Sequence, residues 1–156
     1  MTQQKTADLT PYQVGDHDTR PWGSYTVTAV GRNEAGEDVC EKDIHVLPQQ
    51  ILSLQSHEER REHWQVIDGT LTVILDGTRH DLPAGAAIRI PQGGIHCMAN
   101  LTPENCTVRE VQEGICREDD IKRYIDAYGR GTETVFGEAA ENSIALYKEL
   151  LTVLGK

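Results

Sequence analysis

Apolar and polar residues alternate with a period of two along most of this chain, and turn-forming residues interrupt the alternation at short intervals. Ser24 to Val30 alternates with β-branched and aromatic residues, and Val39 to Leu47 resumes after the turn-rich stretch from Gly31 to Asp38. Ile51 to His57 follows Pro48, and the series continues through Glu62 to Ile67, Leu71 to Asp76, Ala86 to Ile90, His96 to Leu101 and Thr107 to Glu113. Between them stand Asp68-Gly69, Asp76-Gly77, Pro83-Ala84-Gly85 and Pro103-Glu104-Asn105, residues that supply tight-turn geometry. Many short strands joined by such turns predict an all-β barrel or sandwich. There is no βαβ alternation and no glycine-rich phosphate loop, so a nucleotide-binding α/β fold finds no support.

The period changes only late in the chain. Asp119 and Asp120 stand where a cap and first-turn acids favour a helix through Ile121, Tyr124 and Ile125 to Tyr128, with Gly129 as its stop. A second helix is predicted from about Glu138 to Leu154, where Ile144, Tyr147, Leu151 and Leu154 form one apolar stripe. That stripe needs a partner surface: the outside of its own barrel by default, or a second copy across a dimer. Met1 to Asp18 is polar and mixed and reads as an arm ordered only by packing, with structure expected to begin near Arg20. The predicted organisation is an arm over 1–18, one β domain over 19–130, and a tail with an amphipathic helix over 131–156.

Composition narrows the partners. A chain of 156 residues holds one domain with a real core. A formal charge of −10 argues against nucleic acid and anionic membranes, which need a basic face, and leaves a small ligand as the expectation. Cys40, Cys97, Cys106 and Cys116 show no C-x-x-C pair or zinc-ribbon spacing, so reduced thiols are expected. The polar N-terminus lacks a signal-peptide core and no run approaches the ~20 apolar residues of a membrane span, which predicts a cytoplasmic protein.

The candidate chemistry lies between Gln55 and Asn100. The first cluster reads Q-x-H-x-x-x-x-E-x-x-x-x-x-x-G from Gln55 and His57 through Glu62 to Gly69; the second runs from Gly85 through Pro91, Gly93 and His96 to Asn100. Gln55 and His57 are two apart in an extended segment and leave the same face of the strand. A reversal through Glu58 to Arg61 would return Glu62 to that face, and the strand carrying His96 would close the site. Two imidazoles, an amide oxygen and a carboxylate suit one divalent ion, Zn²⁺ first, with Mn²⁺, Fe²⁺, Co²⁺ and Ni²⁺ as alternatives. One anionic ligand leaves such an ion about one positive charge to spare, which favours a polyol or an anionic sugar. Cys97 follows His96 and points to the opposite face, so it is read as packing.

The two motifs resemble those of the cupin superfamily, whose jelly roll, a double-stranded β-helix, holds its ion in the barrel mouth. Arg20-Pro21-Trp22-Gly23-Ser24-Tyr25, Leu52-Ser53-Leu54-Gln55-Ser56-His57, Arg60-Arg61-Glu62-His63-Trp64, Ile90-Pro91 with His96, Glu110-Val111-Gln112, Glu118-Asp119-Asp120-Ile121 and Asp126-Ala127-Tyr128-Gly129-Arg130 narrow the likeness. Together they resemble the type II mannose-6-phosphate isomerase cupin, usually the C-terminal half of a bifunctional isomerase and mannose-1-phosphate guanylyltransferase. The resemblance implies a cupin jelly roll with one or two C-terminal helices and the ligand set Gln55, His57, Glu62 and His96. It also implies interconversion of mannose 6-phosphate and fructose 6-phosphate with a divalent metal, in the supply of GDP-mannose. The chain has no stretch resembling the guanylyltransferase half, so guanylyl transfer is not expected of it. Asp43 stands beside Lys42 where the family commonly has a basic residue, a charge expected to weaken phosphate binding.

Isomerisation of that kind needs a base near the ion. Glu110 and Gln112 share strand parity, which makes Glu110 the first candidate base and His63 the second. Lys42, Arg60, Gln112 and Arg130 are the candidate substrate contacts, the cations toward phosphate oxygens. Trp64 is read either as core or as a stacking surface, and Arg20-Pro21-Trp22-Gly23 as a structural corner. Alternatives to the sugar-phosphate isomerase are a non-catalytic sugar-binding cupin that partners a separate nucleotidyltransferase, and a cupin isomerase or epimerase of another sugar. A homodimer is the expected assembly.

Overall fold

On three neighbouring strands the inward-facing positions change character part-way along, from apolar to charged, and that switch divides the barrel into a dry half and a polar half. The computed structural model describes residues 12–128 and 137–156. Its strands are β1 (His17–Arg20), β2 (Gly23–Arg32), β3 (Asp38–Val46), β4 (Gln50–Ile51), β5 (Leu54–Ser56) and β6 (Arg60–Asp68). They are followed by β7 (Thr70–Leu75), β8 (Thr78–Pro83), β9 (Ala87–Ile90), β10 (His96–Asn100), β11 (Cys106–Gly114), β12 (Lys122–Ile125) and one helix, α1 (Glu138–Leu154).

Two antiparallel sheets result. One has the order β1-β2-β3-β11-β6-β9; the other runs β12-β5-β10-β7-β8, with β4 also pairing to β10. Neighbours in the sheets are far apart in sequence, as when β11 lies between β3 and β6. This double-sheet jelly roll lies within the all-β class the strand pattern predicts and is the fold the cupin resemblance implies.

Register shows how the two halves arise. Val108 sits opposite Ile44 on one side and Val66 on the other, inside a core that also holds Trp22, Val46, Leu71, Val73, Ile90 and Met98. Two residues further along β11, Glu110 faces Lys42 and Trp64; two further again, Gln112 faces Cys40 and Glu62. The period of two therefore carries each strand's inner face straight from the apolar core into the polar site.

The outer face of the second sheet is covered as well. Ile51, Leu54, Ile74, Cys97 and Ala99 pack against Tyr147 and Leu150 of α1, with Ile144, Leu151 and Leu154 at the margin. The apolar stripe thus rests on its own barrel, and Cys97 is buried on the face opposite His96, as strand parity requires. All four cysteines are free thiols. The helix ends in a left-handed Gly155, whose N–H bonds to Thr152 O while Lys156 N–H bonds to Leu151 O, a Schellman-type stop.

Three strands escaped the sequence reading, and one predicted helix is absent. The segment after Asp120 forms β12, which pairs with β5, rather than a helix to Tyr128. Local acids at 119 and 120 signal a cap, but the Asp120 carboxylate is drawn to backbone N–H groups of the β5–β6 turn instead, and Tyr124 and Ile125 pack toward α1. The predicted stop at Gly129 lies outside the described residues. Strand β8 is an edge strand rich in charge, so it lacks the alternation that marks a half-buried strand. Strand β1 starts at His17, three residues before the expected beginning, and Tyr12 of the supposed arm is buried against Val27, Cys40 and Cys116.

The Trp22-Gly23 corner is structural. Trp22 is in the core and its carbonyl accepts the Leu47 N–H. Gly23 has φ of +149°, and a Cβ there would lie 1.9 Å from the His45 carbonyl oxygen. Only glycine lets β2 start so close to β3.

Candidate metal centre

Strand β5 ends as the chain enters the turn at His57, and β6 begins at Arg60, so the reversal brings Glu62 back beside His57. His96, at the start of β10, is hydrogen-bonded in register with Gln55 on β5. The ligand atoms of His57, Glu62 and His96 all lie within 4.8 Å of one another, and all three residues are buried. His57 Nε2 is 3.4 Å from Glu62 Oε2, and the two imidazole rings are 5.0 Å apart between centroids.

Both imidazoles are turned by the backbone. His57 Nδ1–H donates to Asp120 O at 2.7 Å, and His96 Nδ1–H donates to Gly94 O at 2.9 Å. A carbonyl accepts only, so Nδ1 carries the proton in each ring and Nε2 presents its lone pair to the shared space. His96 Nε2 is buried with no hydrogen-bond partner. A buried lone pair without a donor, aimed at a carboxylate and a second imidazole, fits a divalent cation.

Electrostatics agree with that assignment. Burial lowers His57 to about 4, against the opposing pull of Glu62, and burial likewise lowers His96, so burial favours the neutral form of both rings. Burial opposes the ionisation of Glu62, but the imidazoles when protonated and the Arg60 guanidinium at every pH hold it well below the usual carboxylate range. Arg60 supplies the permanent charge: its Nε donates to Glu62 Oε2 at 2.9 Å, and its Nη2 lies 3.2 Å from His57 Nε2. The other carboxylate oxygen accepts the Trp64 indole N–H at 2.9 Å. Trp64 is therefore a core residue that orients the Glu62 carboxylate, and it makes an edge contact with the His96 ring at 5.3 Å.

Gln55 lies at the same site. Its Nε2 is 3.4 Å from His57 Nε2 and its Oε1 accepts from Ser53 Oγ at 2.7 Å. In front of these residues opens a cavity of about 410 Å³, lined among others by Gln55, His57, Lys42, Arg60, Glu110 and Gln112.

Strand parity decides the remaining candidates. Glu110 and Gln112 do face inward together, with Gln112 Nε2 donating to Glu110 Oε2 at 2.9 Å. Burial and the charge of Glu62 push Glu110 upward, opposite in direction to Glu62. His63 follows Glu62 on β6, leaves on the other side of the sheet, and does not line the cavity. The second candidate base is thus placed away from the site. Asp43 is likewise on the outer face, paired with Arg109 at 3.2 Å, so it does not offset Lys42 as expected. Arg130 lies outside the described residues.

Some features of the site carried no spacing signal, although Lys42 is one of the candidate contacts and Arg20, Tyr25 and Ser53 lie within the family-like motifs. The Lys42 ammonium is held between two rings, 4.0 Å from the Tyr12 centroid and 4.4 Å from that of Tyr25, a cation–π clamp built from the arm and β2. Arg20, Ser53 and Arg123 also line the cavity. Their convergence depends on strands that are distant in sequence, and no spacing rule announces it.

Comparison with known families assigns the chain. Residues 8–126 match the model of the family described as mannose-6-phosphate isomerase C-terminal. The chain belongs to that family.

Relatives of this family member include the mannose-1-phosphate guanylyltransferase of Escherichia coli, 39 % identical over 112 residues, covering 71 % of this chain and 22 % of that protein. The alginate biosynthesis protein AlgA of Pseudomonas aeruginosa is 40 % identical over 116 residues, covering 73 % of this chain and 23 % of AlgA. The chain thus spans less than a quarter of the length of these relatives. Among solved structures, KdgF from Halomonas aligns with a TM-score of 0.57 at 21 % identity, over 67 % of this chain and 91 % of that one. An RmlC-like cupin from Shewanella frigidimarina aligns with a TM-score of 0.56 at 16 % identity, over 67 % and 87 %. These likenesses establish the cupin fold. The expected interconversion of mannose 6-phosphate and fructose 6-phosphate is corrected by the curated relatives, which are named for guanylyl transfer and alginate biosynthesis and not for that isomerisation. No helix among the described residues is long and apolar enough to cross a membrane.

Proposed function

We propose that this chain is a metal-dependent cupin of carbohydrate biosynthesis that binds a hydroxylated, negatively charged small molecule, of the hexose-phosphate class, in its barrel mouth. The observation that carries the reading is the juxtaposition of the His57, Glu62 and His96 cluster with a cavity walled by Lys42 and Arg60. Lys42, Arg60 and Glu110 line this space with Glu62 buried beside it, while Arg20 and Arg123 offset Glu118 and Asp119 on the same walls. A divalent ion added to these groups leaves a positive charge of two even with every carboxylate ionised, and that surplus favours an anion. The names of the relatives, which concern mannose 1-phosphate and polysaccharide synthesis, agree in chemical class.

His57 and His96 through Nε2, and Glu62 through Oε2, would hold the ion, with Zn²⁺ ahead of Mn²⁺, Fe²⁺, Co²⁺ and Ni²⁺ for a donor set of two imidazoles and a carboxylate. Gln55 is the fourth ligand in this reading. Turning its amide over would present oxygen to the site and nitrogen to Ser53 Oγ, which can accept as readily as it donates. The ion supplies Lewis-acid polarisation of the ligand's oxygens. Lys42, fixed between Tyr12 and Tyr25, receives the anionic group, and Glu110, the buried cavity-lining carboxyl outside the ligand set, is the group placed to give or take a proton. Four free buried thiols agree with a reducing, cytoplasmic setting.

Thermal unfolding with added ligands tests the reading. A hexose phosphate is expected to raise Tm in the presence of Zn²⁺ and to do so far less after chelation, while the unphosphorylated hexose shifts Tm little. Equal shifts from the neutral and charged sugars would contradict the anion site.

A further inference from the structure

The β5–β6 turn carries His57 at one end and leads into Glu62, yet what holds this turn comes from the far side of the sequence. Asp120, 8 % exposed and only two residues before β12, makes three contacts with it. Its Oδ1 accepts the Glu58 N–H at 2.9 Å and its Oδ2 accepts the Glu59 N–H at 3.0 Å. Its main-chain carbonyl accepts His57 Nδ1–H at 2.7 Å. One residue thus satisfies two consecutive backbone donors of the turn and the ring proton of the ligand that precedes them.

We propose that Asp120 is a positioning residue of the metal centre: its carboxylate clamps the Glu58-Glu59 turn and so holds its own carbonyl against His57, fixing the imidazole tautomer and the span from His57 to Glu62. The inference rests on the metal reading above. Its physical basis is that a histidine ligand is useful only in the tautomer that leaves the coordinating nitrogen bare, and the partner of the other nitrogen decides this. A backbone carbonyl is present whatever residue stands at 120, and the β12–β5 pairing with Lys122 opposite Ser56 brings it near; the side-chain clamp ties it to the turn that carries His57. Gly114 supports the same turn from the opposite side. At φ of +134°, a Cβ on it would lie 2.4 Å from Glu59 O, and Ile115 N–H donates to that oxygen at 2.9 Å. The turn is gripped from β11 and from Asp120 together.

The test uses the full chain, with Asp120→Ala and Asp120→Asn compared against Tyr147→Phe, a destabilising change on the helix outside the barrel. Zn²⁺ affinity is read by competition with a chelating dye, and the His57 tautomer of the metal-free protein by ¹⁵N shifts of its ring. Asp120→Ala is expected to weaken Zn²⁺ binding by about 10- to 100-fold and to mix the His57 tautomers. Asp120→Asn, which keeps one acceptor oxygen, is expected to fall between Asp120→Ala and the parent. Tyr147→Phe is expected to change neither readout. Parent-like Zn²⁺ affinity and a parent-like tautomer in Asp120→Ala would overturn the proposal, as would equal losses in Tyr147→Phe. A parent protein that binds no Zn²⁺ while Asp120→Ala still mixes the tautomers would instead sink the metal reading and uphold the role of Asp120 toward His57.

Discussion

Arg60 and Glu62, two residues apart on β6, are joined in the barrel interior by an Nε to Oε2 hydrogen bond of 2.9 Å. Both side chains are almost wholly buried, so the guanidinium is the counter-charge that keeps the carboxylate ionised before any cation arrives. Arg60→Met removes that charge while retaining much of the volume. The metal-free variant is expected to lose about 3–5 kcal/mol, the cost of stranding a buried charge. Zn²⁺ should restore more stability to the variant than to the parent, as measured by urea unfolding with and without the metal. An equal gain in both would show that Arg60 does not serve Glu62 in this way.

Removal of a ligand gives a second prediction. His57→Ala and His96→Ala are each expected to lower bound metal from one equivalent to a small fraction of that, with the β-type circular dichroism retained. His63→Ala, on the opposite face of β6, should keep full occupancy. Metal analysis after gel filtration decides it, and loss of metal in His63→Ala would contradict the strand parity on which the site is built.

Tyr147 ties the helix to the barrel. Its hydroxyl donates to Leu52 O at 2.8 Å and accepts the Ala127 N–H at 3.2 Å, across chain separations of 95 and 20 residues. Tyr147→Phe keeps the ring but leaves both backbone groups unsatisfied, an expected loss of about 1–3 kcal/mol in denaturant unfolding. Unchanged stability would mean that water satisfies those groups.

Gly23→Ala tests the corner that starts β2. The added Cβ, 1.9 Å from His45 O, requires the strand to move, and a loss of about 3 kcal/mol or more is expected. Gly31→Ala, where a Cβ meets nothing within 4 Å, should change stability by less than about 0.5 kcal/mol. Similar melting temperatures for the two variants would contradict the close approach.

The thiols carry a pH prediction. Burial pushes Cys97 up to about 12, Cys116 to about 12, Cys40 to about 11 and Cys106 to about 11. Raised values mean less thiolate at a given pH, so alkylation at pH 8 should be slow in the folded protein and rapid in denaturant. Rising pH should begin to expose reactivity only well above pH 9. A fast-reacting thiol at pH 8, detected by mass spectrometry, would contradict the packing of that cysteine.

How much of this was legible beforehand follows from the range of each interaction. Strand alternation, turn residues and the helix from Glu138 to Leu154 are written in near neighbours, so the all-β domain and the stripe through Tyr147 could be read directly. The convergence of His57, Glu62 and His96 was also readable, since a period of two places side chains on one face and a short reversal returns them to it. Strand β12 was not, because its local acids signal a helix cap while its hydrogen bonds go to β5, more than 60 residues away. The Tyr12 and Tyr25 clamp on Lys42, the edge strand β8 and the grip of Asp120 on the His57 turn depend in the same way on which strands become neighbours. Sequence alone therefore determined which side chains share a face. Tertiary structure decided which faces meet, because antiparallel pairing between distant strands is set by how the whole core closes and not by any local preference.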